Sequence, residues 1–467
     1  MNKFLKFLGI SAISITSLVA LAACSTGGVT KNDTIFTNRA YVALNDMPER
    51  LNIKMEAPEG AKGIEHIYIG TRVQIYDDQC SYRDGILTID TKAFVDEKGT
   101  PKLNSGDRVA RVRFKNVKQD VEITILFVDK VITTADELQR INDNPAGSYI
   151  LGNDIDCSDI SNFEPLGFTT TATSSTINQE FLGVFDGNGY TIKNVTSRYA
   201  TDLTDEKTAI KSGNYLFEND SHKSGDQFGV FQNIGPTGIV RNTAFKNVHI
   251  YGRSLSGVIS GMTSGVIENC FVDKDCDVTI STHFYDEACN AGVLSGFVTP
   301  DGSVRNNISL GKAYILDSFK AYAEDYEQPN IEENGMDPNS PKDDLWTWPY
   351  WGSSKGSNKL DSNGVETNGV YAGVGMVHGE AIDNYCLKFK IENEAFSAQA
   401  NFGQTHIFTN KEGDGPNAGA IVNCLMKTED ELKSSAIYDG IFDTNAWNIY
   451  DGSIPTLRAF YSYTIAD

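Results

Sequence analysis

The chain has 467 residues, of which 40% are hydrophobic and 22% charged, and it carries a formal net charge of −22. That length exceeds one compact domain of roughly 100–200 residues unless the fold grows by stacking. The acidic balance, with no basic tract anywhere, argues against nucleic acid and anionic lipid headgroups as partners.

Lys3 and Lys6 precede an apolar stretch from Phe7 to Ala20, and small residues lead into Cys24 through Leu21-Ala22-Ala23. This layout describes a secretion signal over residues 1–23. Its apolar run is short of the roughly 20 residues that a spanning helix needs. A cysteine directly after Leu-Ala-Ala resembles the lipobox of bacterial lipoproteins. The resemblance implies cleavage before Cys24 and a diacylglycerol on its sulfur, and two or three acyl chains suffice for a stable anchor. The expected location is the outer side of a cell membrane, or the periplasm or outer membrane in a double-membrane cell. Residues 24–32 then form a tether.

Residues 33–130 read as short strands divided by turn residues: Ile64 to Ile69, Arg72 to Tyr76, Ile86 to Ile89, Arg108 to Phe114 and Val121 to Val128. In the fourth, Ala110, Val112 and Phe114 alternate with Arg111 and Arg113, as in a strand with one face on a core. About seven strands in this length indicate a β-sandwich, and the segment looks like the Ig-like modules of bacterial surface proteins. A helix over 134–143 follows. Thr134 is placed to cap the Glu137 amide, with Leu138 and Ile141 on one face.

The rest of the chain, 131–462, repeats itself. Five-residue units recur as Gly238-Ile239-Val240-Arg241-Asn242, Gly265-Val266-Ile267-Glu268-Asn269, Gly302-Ser303-Val304-Arg305-Asn306, Glu380-Ala381-Ile382-Asp383-Asn384 and Gly419-Ala420-Ile421-Val422-Asn423. A second unit precedes most of them: Phe228-Gly229-Val230-Phe231, Ser256-Gly257-Val258-Ile259, Ala291-Gly292-Val293-Leu294 and Ala372-Gly373-Val374-Gly375. A constant core motif at irregular spacing means similar rungs with loops of different length. One strand–turn–strand rung cannot bury its apolar face alone, so the rungs are expected to stack into a parallel β-solenoid. The asparagine is expected at a tight left-handed bend, its amide bonding the asparagine one rung away. Together with Phe185-Asp186-Gly187-Asn188-Gly189-Tyr190, Trp447-Asn448-Ile449 and Pro455-Thr456-Leu457, this motif order is similar to the bacterial surface proteins with GLUG repeats. That resemblance implies a right-handed β-helix.

The largest insert, residues 317–368, gathers three of the four tryptophans in Trp346, Trp348 and Trp351, with Tyr350 between them. Loops on a rigid solenoid are common places for binding residues. Stiff aromatic faces edged by acids suit a polysaccharide or a peptide, although the same rings could serve only to plug the insert against the solenoid. Asp273, Asp275 and Asp277 alternate as at the start of a calcium loop but lack its glycine and distant glutamate. Asp154 and Asp156 also alternate and read as architecture. Asp186-Gly187-Asn188-Gly189 is a turn rather than a phosphate loop. No Gly-x-Ser-x-Gly or His-Glu-x-x-His motif is present. The cysteines other than Cys24 are odd in number and scattered, which suits buried thiols with one bridge such as Cys276 to Cys289. No metal site, catalytic residue or cofactor is assigned.

The expectation is an all-β, lipid-anchored surface protein that acts as an adhesin or glycan binder. Its partners are the membrane, through the lipid, and a polysaccharide or a host or cell-surface protein. The alternatives are a β-helix polysaccharide lyase or glycoside hydrolase, whose paired carboxylates would come from stacked rungs, and a purely structural envelope protein.

Overall fold

The computed structural model describes residues 34–37, 39–167, 180–198, 227–252, 255–280, 290–315, 369–388, 420–460 and 462–464. The chain is all-β, and its larger part is a stack of parallel strands. A first wall orders Lys130–Ile132, Tyr149–Leu151, Val184–Asp186, Ile239–Arg241, Val266–Glu268, Ser303–Arg305, Glu380–Ile382 and Ala420–Val422. A second wall orders Ile155–Asp156, Thr191–Arg198, Ala244–Gly252, Phe271–Val272, Ile308–Ser309, Tyr385–Leu387 and Leu425–Lys427, and Asp277–Ile280 and Lys312–Ile315 extend the same sheet. Two four-stranded sheets, starting at Gln227–Phe228 and Phe231–Ile234, make the third side. This arrangement is a β-solenoid.

In the five successive first-wall strands from Val184–Asp186 to Glu380–Ile382, the middle residue faces inward. Phe185, Val240, Ile267, Val304 and Ala381 are fully buried and lie one above the other in register. They share a core with Ile192, Phe245 and Val272 of the second wall and with Ile234, Val258 and Val293 of the third side. The described glycines that head the repeats are fixed by close backbone approach. A β-carbon on Gly265 would lie 2.1 Å from the Gly238 carbonyl oxygen, and one on Gly379 2.2 Å from that of Gly302.

Register corrects two details of the repeats. The left-handed corner residues are Asn242, Asn269, Asn306, Asp383 and Asn423, with φ between 49° and 56°. Arg305 pairs with Ile382, so the seventh rung is headed by Gly379 and turns at Asp383, one residue earlier than its sequence suggests. Likewise Ser295 pairs with Val374, which moves the second unit of that rung back by two residues. Asn384 is therefore an inward residue, and the buried amide ladder belongs to the position after the corner. Asn307 Oδ1 accepts the Cys270 N–H at 2.8 Å, Asn307 Nδ2 donates to Asn384 Oδ1 at 2.8 Å, and Asn384 Nδ2 donates to the Val304 carbonyl at 2.8 Å.

Residues 34–128 supply a further five-stranded sheet and four strands of another around one core. Ala110, Val112 and Phe114 are fully buried, while Arg111 and Arg113 pair with Glu122 and Asp120 on the other face. Between this module and the solenoid, Thr134 accepts the Glu137 N–H at 3.2 Å and starts a short helix, Ala135–Gln139, that continues as the 3-10 turn Arg140–Asp143. Leu138 and Ile141 close that end of the solenoid core.

The module packs side-on against the solenoid. In the early first-wall strands, Tyr149, Leu151 and Phe185 face the solenoid core, whereas Ile150 and Val184 belong to the core of the module. Strands buried on both faces read as continuous apolar runs. The exception is Asp186, fully buried in the same row. Arg241 Nε donates to Asp186 Oδ2 at 2.7 Å, and its two terminal nitrogens donate to both oxygens of Asp107 in the module at 2.7 and 2.8 Å. Arg39 of the module approaches the same oxygen at 3.4 Å, and the Asn188 N–H donates to Asp186 Oδ1 at 2.8 Å. Burial alone pushes the Asp186 carboxyl up, but the two arginines and these hydrogen bonds outweigh it and hold the group below the ordinary carboxylate value.

The C-terminal segment runs back along the outside of the stack. Tyr438 and Phe442 lie against Tyr385, with centroids 5.5 and 5.4 Å away. Trp447, fully buried, donates from Nε1 to Asn269 Oδ1 at 3.0 Å, and the Phe460 N–H donates to Asn188 Oδ1 at 2.5 Å. Ser462–Thr464 then pairs antiparallel with Thr34–Phe36, so the last described strand completes a sheet that the first one begins.

Removing one partner of a buried ion pair costs about 3–5 kcal/mol because the other charge is left unpaired. Arg241→Ala is expected to lower the unfolding free energy by about that amount, as measured by denaturant titration, whereas the exposed Arg111→Ala should change it by less than about 1 kcal/mol.

Candidate functional site

The long second-wall strands end together. Arg198 pairs with Tyr251, Tyr251 with Thr279 and Thr279 with Tyr314. The chain re-enters at Gln227–Phe228, Leu255–Ser256, Asn290–Gly292 and Gly369–Tyr371, which also stack in register. Segments 199–226, 253–254, 281–289 and 316–368 therefore all join the same two stacked edges and issue from one corner of the solenoid. Trp346, Trp348, Tyr350 and Trp351 belong to the longest of them and lie outside the described residues, as do Cys24 and Cys289.

Beside this corner the outward face of the second wall is polar and tightly bonded. Asn194 and Asn247 adopt φ of 58° and 50° in mid-strand, where their side chains bond from rung to rung. Asn194 Nδ2 donates to Asp156 Oδ1 at 2.8 Å, and Asn247 Nδ2 donates to Asn194 Oδ1 at 2.8 Å. His249 completes the row, with Nε2 3.0 Å from Asn247 Oδ1 and Nδ1 2.5 Å from Asp277 Oδ2. Both ring nitrogens face acceptors, which favours the doubly protonated imidazolium. The hydrogen bond to Asp277 raises the His249 pKa against the opposing effect of burial. At the other end of the row, the bond from Asn194 heads the causes that bring Asp156 down to about 2. Next to the corner itself, the Arg198 guanidinium lies 5.0 Å from the Tyr251 ring centroid.

His249 has both nitrogens occupied and no hydroxyl or thiol partner among the described contacts, so it offers no general base. What the face presents is a fixed row of amides, an imidazolium and an arginine stacked on an aromatic ring, all on rigid strands. Such groups match hydroxyl-rich or extended polar ligands.

The other sequence candidates go elsewhere. Asp273 accepts the Lys274 N–H at 2.7 Å, Asp275 accepts the Asn247 N–H at 2.9 Å, and Asp277 is held by His249. The three carboxylates thus face different partners, and no group of three or more His, Cys, Asp or Glu residues is arranged to hold a metal among the described residues. Asp154 accepts the Thr191 N–H at 2.9 Å. Asn188 and Gly189 have φ of 52° and 77° in the Asp186 turn. His378 is half-buried, edge-on to Phe297 at 5.0 Å. The bridge expected between Cys276 and Cys289 is replaced by a free, buried Cys276 thiol that donates to the Phe245 carbonyl at 3.3 Å. Its burial pushes the thiol pKa well up. Sequence reasoning passed over Arg198, Asn194, Asn247 and Tyr251. Their only sequence signal is alternation with the buried Val195, Ser197, Val248 and Ile250.

No family profile matches the chain, and none of the curated proteins is significantly similar to it. Among solved structures, an IgA1 protease is similar over 86% of this chain and 28% of its own, at 10% identity and a TM-score of 0.27. The chain thus spans less than a third of the length of that protein.

The His249 row carries a pH signature. Because the folded pKa is raised, its stabilisation is fully present below the ordinary histidine value of about 6.5 and is lost as pH rises through the folded value. An NMR titration is expected to place the His249 midpoint above that of an unstructured peptide, and Asp277→Asn should bring it back down.

Proposed function

We propose that the protein is a lipid-anchored surface protein that binds polysaccharide at the corner where its long segments emerge. The observation that carries this reading is the stacking of the strand ends, since the tryptophan-rich segment lies in sequence between two of them, Lys312–Ile315 and Gly369–Tyr371. On this reading Trp346, Trp348, Tyr350 and Trp351 supply stacking platforms for sugar rings, and Asn247 and Arg198 supply hydrogen-bond donors. On this reading Cys24 carries the anchoring lipid. It is compatible with the absence, among the described residues, of any helix long and apolar enough to cross a membrane. The module at 34–128 serves as the Ig-like domain, and the stack is a right-handed helix of the GLUG-repeat kind.

Titration of the chain lacking residues 1–24 with a polysaccharide panel tests the reading. Tryptophan fluorescence is recorded together with any release of reducing ends. Trp447 is fully buried and contributes a constant background, so a saturable change reports the other three. Replacing Trp346, Trp348 and Trp351 by Ala is expected to weaken binding by about tenfold or more, roughly 1.4 kcal/mol, without sugar release in either protein. Release of reducing ends would favour an enzyme, and silence toward every sugar would redirect the search to peptides. In cells, Cys24→Ser is expected to move the protein from the membrane to the soluble fraction.

A further inference from the structure

A second concave site lies away from that corner, where module, solenoid and C-terminal segment meet. It is a cleft of about 380 Å³ lined by Tyr41 of the module, Asn188 and Tyr190 of the Asp186 turn, and Asn448, Arg458 and Phe460 of the C-terminal segment. Its walls are held from behind. Tyr41 meets Phe36 and Phe460 edge-on at 5.1 and 5.6 Å, and Phe460 is in turn covered by the Arg39 guanidinium at 3.9 Å. Arg458 is anchored by its backbone N–H on the Ala446 carbonyl at 2.8 Å and by Nε on Asn448 Oδ1 at 3.0 Å.

Those bonds leave the terminal nitrogens of Arg458 without a protein acceptor among the described contacts. An arginine whose terminal nitrogens have no described acidic partner is open to an anion, and its planar fork is shaped to take a carboxylate with two parallel hydrogen bonds. Among the described residues no acidic side chain lines the cleft, which argues against ligands that also carry an ammonium group. The remaining polar lining side chains are neutral: two phenol hydroxyls, of the kind that bond sugar hydroxyls, and two amides whose oxygens are already held by Phe460 N–H and Arg458 Nε. The Tyr41 and Tyr190 rings offer apolar surface, and the volume lies at the small end of the roughly 300–1,000 Å³ typical of ligand sites.

We propose that the cleft binds a single uronic acid ring, with its carboxylate on the terminal nitrogens of Arg458 and its ring against Tyr41 and Tyr190. The assignment goes beyond the proposed function and is independent of the tryptophan-rich segment. Since the lining comes from three parts of the chain, occupancy also ties the C-terminal segment to the module.

The test is calorimetric titration of the chain lacking residues 1–24 with D-glucuronate, D-glucose and inorganic phosphate. Saturable binding of glucuronate is expected, with glucose and phosphate weaker by about tenfold or more, and the thermal midpoint should rise with glucuronate concentration. Arg458→Gln should weaken glucuronate by about tenfold or more. Tyr190→Phe, which removes a hydroxyl with no described protein partner, should keep the native thermal midpoint and also weaken binding, so it decides the matter if Arg458→Gln does not fold. The chain carrying Ala at 346, 348 and 351 should bind glucuronate unchanged, which separates this site from the proposed corner. The inference is overturned if the native chain does not bind glucuronate, if it binds glucose or phosphate equally well, or if the folded Arg458→Gln or Tyr190→Phe variant binds as tightly as the native chain.

Discussion

Asp186, Arg241, Glu268 and Arg305 stand one above another on the first wall, in strict register and alternating in sign. At the upper end the pairing is exposed and ordinary, with Arg305 holding Glu268 at 2.8 Å. At the lower end it is enclosed, because the module covers the wall there. A buried carboxylate is tolerated only when its charge and its lone pairs are met. Meeting them requires Arg241 from the next rung, Arg39 from the module, and the turn that presents the Asn188 N–H. Each demand fixes a neighbour: Arg241 grips Asp107 and so orients the module, and the same turn presents Asn188 Oδ1 to the Phe460 N–H of the C-terminal segment.

This arrangement decides which surfaces remain for function. The module covers the outer side of the first wall's early strands. The C-terminal segment packs Tyr438, Phe442 and Trp447 over Phe271, Ile308 and Tyr385, the first residues of three later second-wall strands. What the described residues leave uncovered is the far end of the long second-wall strands, where Asn247, His249 and Arg198 lie. The scaffold is thus closed on the sides that need burial and open at the edge that carries variable length, a division suited to binding on a rigid frame.

Much of this was legible locally. The glycine, the inward aliphatic residue and the corner asparagine each answer to one backbone constraint, so the repeat shows in the sequence, as does the alternation of Ala110, Val112 and Phe114. Legibility failed where the motif was too degenerate to set its own phase: Asp383-Asn384 offers two residues able to take the corner, and only pairing with Arg305 and Asn306 chooses between them. It failed again where a role depends on distant chain. Arg241 occupies a variable position of the repeat, and nothing near it in sequence indicates Asp107. The final strand finds its partner at Thr34–Phe36, across almost the whole chain. Of the candidate site, the aromatic cluster was visible as composition, but the Asn194–Asn247–His249 row needs the register before its members come together.

The central claim is that module, solenoid and C-terminal segment form one closed unit rather than a spacer and a separate stack. Scanning calorimetry of the chain lacking residues 1–24 tests it most directly. One transition whose calorimetric and van't Hoff enthalpies agree is the result this account predicts. Two resolved transitions, with the module melting independently of the stack, would contradict it.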